Sequence, residues 1–168
     1  IGWLLGDHVL RHTSGDDRLV VTTLVSSSLL GKMAQKHGVA FAETFTGFKW
    51  IADAVVRRPN TRLVFAYEQA LGYLVADRPL DKDGISAALY LAQIASDLAQ
   101  EKKTLQDLLN DVWKRDGFHA TEQISIRFAD LSKMDLILAD LRANPPREIA
   151  GINVETIDDL AKPSHELP

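Results

Sequence analysis

The feature that most constrains this chain is an alternation. Three short apolar runs, Leu19 to Val25, Val39 to Phe45 and Arg62 to Tyr67, are each bounded by turn residues. Helical spacing precedes the first run and follows all three. Ile1 to His12 reads as a helix with Trp3, Leu4, Leu5, Val9 and Leu10 near one face. Ser26-Ser27-Ser28 offers N-caps to a helix whose apolar face is Leu29, Leu30, Met33 and Ala34, and Gly38 closes it. Phe48, Ile51, Ala52 and Val55 mark a third helix, which stops at Arg57-Arg58-Pro59. Asp83-Gly84 opens a long helix with Ile85, Ala88, Leu89, Ala92 and Ala95 predicted inward. Thr104 and Asp107 have capping-box spacing at the start of another, which ends at Asp116-Gly117. This order predicts an α/β fold with a mixed, mostly parallel sheet between helices.

After Gly117 the pattern changes. Gln123 to Phe128 alternates as a half-exposed strand does, Leu131 to Arg142 is helical, and Ile149 to Val154 reads as another short strand. Residues 1–117 are therefore expected to form one domain. Residues 118–168 are expected to form a partial β-α-β piece of an α+β domain, the incomplete start of a C-terminal domain. The Ile149 to Val154 strand would then be an unprotected edge, prone to fraying or intermolecular pairing.

Composition narrows the function. With 46% hydrophobic and 25% charged residues, the 168-residue chain can bury a real core. A net charge of −4 and the lack of a basic run argue against nucleic acid as a partner. No apolar run reaches the roughly 20 residues of a membrane span, and the start IGWLLGDHVLR makes a poor signal peptide. There is no cysteine, which removes disulfides, thiolate metal sites and thiol nucleophiles and suits a reducing, cytoplasmic location.

Glu68 is the first candidate for chemistry. It ends a buried strand at a carboxyl edge, where open α/β sheets bind ligands. Its two acceptor oxygens suit neighbouring sugar hydroxyls, although an exposed turn residue explains it too. Thr46-Gly47-Phe48-Lys49 occupies the equivalent place after the second strand. There Gly47 would allow close backbone approach and Lys49 could meet a phosphate, or simply lie on a solvated face. Ser26 to Ser28 are first helix caps and only second an anion site. Lys82 precedes the N-cap Asp83 and reads alone as a solvated charge. His8 and His12 lie four apart without the metalloprotease glutamate. Gly15-Asp16-Asp17-Arg18 reads as a turn. No P-loop, dinucleotide fingerprint or nucleophile elbow is present.

Taken together, FAYEQALGY, LVVTTLVSSSLLGKMAQKHG, ETFTGFKWI and DKDGISAALYLAQIA resemble, in order and spacing, the third domain of the phosphoglucomutase/phosphomannomutase family, the α-D-phosphohexomutases. FAYEQALGY is similar to that family's sugar-binding loop, G-E-E-S-x-G. It lies closer to the F-E-E-A-I-G-Y form of the phosphopentomutase-like phosphoglucomutase branch. The resemblance covers Ile1 to Gly117, and the later piece resembles the start of the family's fourth domain.

The resemblance implies a parent enzyme that interconverts hexose (or pentose) 1-phosphate and 6-phosphate (or 5-phosphate) through a sugar bisphosphate. It also implies a phosphoserine and Mg2+ on domains outside this chain, so the chain alone would be inactive, with no catalytic residue or metal site of its own. Its partners would be the phosphosugar and the remaining domains of the parent. Glu68 would hold sugar hydroxyls in both orientations of the intermediate, and Glu68→Ala would leave stability nearly intact. Gly47 and Phe48 would belong to the loop that discriminates the sugar, with Lys49 beside it, and Lys82 would lie near the ligand. Gln69 and Ala70 depart from the common loop, and Ala70 cannot hydrogen-bond a hydroxyl. Two readings of another class remain at this stage: a stand-alone, non-catalytic α/β binding module, and a small hydrolase, for which no nucleophile and base are visible.

Overall fold

The computed structural model describes residues 1–75, 79–122, 124–125, 127–130 and 132–160. The described residues divide into two compact units, one within 1–121 and one within 122–160. The first unit contains α1 (Gly2–His12), β1 (Arg18–Thr23), α2 (Leu29–Lys36), β2 (Ala40–Thr44), α3 (Phe48–Val56), β3 (Arg62–Glu68), β4 (Gly72–Leu74), α4 (Gly84–Gln100) and α5 (Leu105–Asp116). The second contains α6 (Ser132–Ala143), β5 (Glu148–Ile149) and β6 (Ile152–Asn153).

The sheet order is β2-β1-β3-β4, with the first three strands parallel and β4 antiparallel to β3. The mixed, mostly parallel sheet matches the expectation. β4 was not foreseen, because three residues after a tight turn carry no periodicity. Between β1 and β3 the register slips. Leu19 pairs with Leu63 and Val20 with Phe65, so Val64 is an extra residue. The slip resets the alternation of β3. Val64, Phe65 and Tyr67 join the core with α1, α2, α4 and α5, whereas Leu63 and Ala66 join the core with α3. Glu68, two residues after Ala66, therefore points to the α3 side.

Most of the predicted helix faces are buried as read, including Leu4, Leu5, Val9 and Leu10 of α1 and Leu29, Leu30, Met33 and Ala34 of α2. The capping box at Thr104 and Asp107 is formed, and Gly38 follows α2 at φ +62°. Helix α4 is rotated from the expected orientation. It buries Ala87, Ile94 and Leu98, while Ile85 is 87% and Leu89 69% exposed. Ala88 and Ala92 are exposed as well, and Ala95 is half-buried. The helix is alanine-rich and carries one charge, Asp97, so its polarity barely distinguishes one face from another.

The second unit differs from the β-α-β reading. Ile124, Ser125, Arg127 and Phe128 lie outside any strand, and Gln123, Ile126 and Leu131 lie outside the described residues. The predicted strand from Ile149 is instead a hairpin, Glu148↔Asn153 and Ile149↔Ile152. Ala150 and Gly151, both at positive φ (50° and 81°), make its two-residue turn.

Candidate functional site

Parallel strands end together, so the carboxyl edge collects one polar group from each. Thr22 and Thr23 close β1, Thr44 closes β2 and Glu68 closes β3, and all four are buried. Their hydrogen bonds build the edge. Thr22 Oγ1 donates to the Tyr67 carbonyl at 3.0 Å, and the Leu24 N–H donates to the Thr44 carbonyl at 3.0 Å. Ser26 Oγ lies 2.9 Å from Thr23 Oγ1 and accepts the Gln69 N–H at 3.1 Å, tying the β1–α2 loop to the β3–β4 turn. Ser27 Oγ accepts the Leu29 N–H at 3.2 Å within the turn before α2, and the N-cap residue Ser28 makes no side-chain cap hydrogen bond, unlike the capping expected of this triplet. Ser28 Oγ instead sits 3.3 Å from His119 Nδ1 at the surface. Burial raises the Tyr67 and Tyr73 phenols above their ordinary values.

The centre of the edge is the Glu68 carboxylate, only 3% exposed. The N–H of Gly47 donates to Oε1 in a short hydrogen bond, and Lys82 Nζ lies 3.7 Å from Oε2. Gly47 stands at φ +122°, a conformation nearly closed to other residues, and this turns its N–H toward the carboxylate just before α3 begins. Phe48, the first residue of α3, is buried beside it, with Lys82 Nζ 4.7 Å from the ring centroid. Lys82 is delivered by the residue after it. Asp83 caps α4, accepting the Ile85 and Ser86 N–H groups at 3.1 and 3.0 Å, and the Ser86 hydroxyl bond holds the Asp83 carboxyl below its ordinary value.

Four of the residues singled out in the sequence, Glu68, Gly47, Phe48 and Lys82, thus meet. Lys49 does not join them. Its side chain is exposed, and its ammonium lies 5.3 Å from the Trp50 ring centroid. One neighbour escaped the sequence reading. Gly72 pairs with Glu68 across the β3–β4 hairpin, and a Cβ there would lie 2.5 Å from Phe48 Cε2 and 3.3 Å from Glu68 Oε2. A glycine after a turn explains itself locally, so its sequence carries no sign of this contact.

The arrangement can accept hydrogen bonds from hydroxyls at Glu68 and attract an anion at Lys82, whose side chain is half exposed. Among the described residues no three histidines or carboxylates come together in a group that could hold a metal ion. His8 and His12 stack at 4.1 Å between ring centroids, and Asp17 pairs with Arg62 at 3.3 Å. No helix among the described residues is long and apolar enough to cross a membrane.

Comparison with known proteins bears on this geometry. Residues 1–115 match the family described as "Phosphoglucomutase/phosphomannomutase, alpha/beta/alpha domain III". A probable phosphomannomutase of Haemophilus influenzae is 39% identical over 163 residues, which cover 96% of this chain and 32% of that protein. A phosphoglucomutase of Staphylococcus aureus is 32% identical over 164 residues, covering 95% and 30%. The chain thus spans about a third of the length of these relatives. A crystal structure of a putative phosphomannomutase from Thermus thermophilus superposes with a TM-score of 0.55 at 22% identity, over 68% of this chain and 25% of that one, a likeness of fold.

Proposed function

Because the chain belongs to the phosphoglucomutase/phosphomannomutase family, with residues 1–115 as its α/β/α domain III, we propose that it is the sugar-holding part of a phosphosugar mutase. The parent would interconvert hexose (or pentose) 1-phosphate and 6-phosphate (or 5-phosphate) by phosphoryl transfer through a bound sugar bisphosphate. The observation that carries this reading is the buried Glu68 carboxylate at the sheet's carboxyl edge, with the Gly47 N–H on one oxygen and Lys82 facing the other.

The bisphosphate must turn by half a rotation between the two transfers. Hydroxyls near that axis fall in similar places in both orientations. A carboxylate has acceptor positions on both oxygens, so Glu68 can hold such hydroxyls either way round. Lys82 is close enough to balance the Glu68 charge, and its half-exposed side chain leaves the ammonium open to a ligand phosphate. These residues supply orientation, a large share of catalysis when transfer itself is mainly electrostatic. The serine donor and the magnesium ion of such a mutase belong to other domains, and the metal would supply charge stabilisation there. Glucose and mannose phosphates are the first substrates to test, since the matched relatives are named for those sugars. Ala70 in place of a hydroxyl-bearing residue leaves room for pentoses.

Glu68→Gln in the full-length enzyme is the direct test. The amide oxygen can still accept the Gly47 N–H, so the fold is kept while the charge is lost. Turnover of the best sugar phosphate should fall on the order of 100-fold. An unchanged kcat/KM across glucose, mannose, ribose and deoxyribose 1-phosphates would remove Glu68 from the site. Glu68→Ala is the poorer probe, contrary to the expectation from sequence, because it strands a part-buried N–H and should cost about 1–3 kcal/mol of stability.

A further inference from the structure

Glu68 and Lys82 come from distant turns of the chain, so something must set the distance between them. Lys82 precedes α4 on an exposed stretch, Asp81-Lys82, and its own side chain is half exposed. A lysine in that position ordinarily samples many rotamers. Here its ammonium is 4.7 Å from the centroid of the Phe48 ring and 3.7 Å from Glu68 Oε2. The ring presents its negative face to the cation. Phe48 can lie there only because residue 72 has no side chain. A Cβ at Gly72 would come within 2.5 Å of Phe48 Cε2 and within 3.1 Å of Lys82 Cδ. The backbone at Gly72 is ordinary strand paired with Glu68, so the glycine answers a demand for space, not for an unusual φ.

We propose that Phe48 and Gly72 are positioning residues: the Phe48 ring, seated in the space a side chain at 72 would fill, holds the Lys82 ammonium beside the Glu68 carboxylate. The empty site thereby keeps its cation and its carboxylate at a fixed separation, ready for the phosphate and the hydroxyls of one ligand. A preplaced cation spares the ligand the cost of ordering a long side chain. This inference rests on the sugar-holding reading above and adds the residues that make the site rigid.

The test uses the full-length enzyme and separates positioning from packing. Phe48→Leu removes the aromatic face while keeping most of the buried volume, and Phe48→Tyr keeps the face. Lys82→Met removes the cation. A ground-state contact to an anionic substrate acts on KM more than on kcat. Phe48→Leu should therefore raise KM about two- to fivefold with kcat nearly unchanged, and Phe48→Tyr should restore it. In the Lys82→Met background, Phe48→Leu should add nothing. Gly72→Ala should raise KM on the order of tenfold, because it displaces ring and cation together.

If Phe48→Leu leaves KM untouched, or keeps its full effect without Lys82, the ring is core packing only and the positioning proposal fails. Should Gly72→Ala unfold the enzyme, the Phe48 pair still decides the matter. If Lys82→Met and Glu68→Gln both behave as wild type, it is the sugar-holding reading that fails, and the two failures are told apart by that pair of controls.

Discussion

Leu71 sits at the tip of the β3–β4 turn with φ +59°, and its side chain is 78% exposed. A leucine in the left-handed region costs about 1–2 kcal/mol, and nothing is recovered by burying it. Glycine would remove that strain and lose part of the gain through unfolded-chain entropy. Leu71→Gly should therefore stabilise the chain by about 0.5–1 kcal/mol, read as a higher urea midpoint at unchanged slope. A lower midpoint would mean that the turn does not hold its residue where the geometry places it. Strain of this kind beside Glu68 fits the tendency of ligand-holding loops to carry it. At this scale the sequence was half legible. Glu68 could be found because a carboxylate ending an apolar strand is conspicuous. Gly72 and the Phe48–Lys82 contact could not, since each joins residues from separate turns, and Lys49 looked as good a candidate as Lys82 until its place beside Trp50 was known.

Helices α1, α2 and α5 are joined by charges as well as by apolar packing. Asp7, fully buried on α1, lies 2.6 Å from Arg115 Nη2, and Arg11 Nη2 approaches its other oxygen at 2.9 Å. Asp116 on α5 takes Arg115 Nε at 2.9 Å and Lys36 of α2 at 2.9 Å. Burial alone would raise the Asp116 carboxyl, but its bonds to Arg115 and Lys36 outweigh that and hold it below its ordinary 3.8. The folded state thus favours the ionised form. The resulting stabilisation is complete above the unfolded value and is lost as pH falls through the lower folded one. Asp116→Asn should be less stable than wild type at pH 7, and the gap should narrow below about pH 4 in urea titrations. A gap that stays constant down to pH 2.5 would show that the charge is not what joins these helices. The capping box of α5 was readable because its two residues are three apart. The Asp7–Arg115 pair spans 108 positions and has no local signature. Helix α4 was misjudged for a related reason: with apolar residues on nearly every face, only its neighbours decide which side is buried.

Across the whole molecule, burial is unevenly distributed. The first unit holds both apolar cores, and its β3 strand is buried from Leu63 to Glu68. In the second, no described residue is buried, and α6 leaves Met134, Leu136 and Leu141 at 44, 69 and 49% exposure. The alternating order of the first unit was legible because each helix and strand has a period of its own and packs against its sequence neighbours. In the second unit α6 falls where the sequence read a helix; the neighbouring strand reading failed at Ile124, because a period-two pattern says only that a segment suits a half-buried surface, and Ile124 at 85% exposure has none to cover it. Local opening free energy follows buried apolar contact. Amide exchange should therefore be slowest in β1 and β3 and fast throughout 132–160, including β5 and β6, whose strands are two residues each. Measured at low and high protein concentration, the experiment also examines the hairpin's open edges. Protection of 148–153 that appears only at high concentration would report pairing between chains through those edges. Protection of 132–160 equal to that of β3 in a dilute monomer would contradict the burial pattern itself, since backbone hydrogen bonds left in contact with water have no means of resisting exchange.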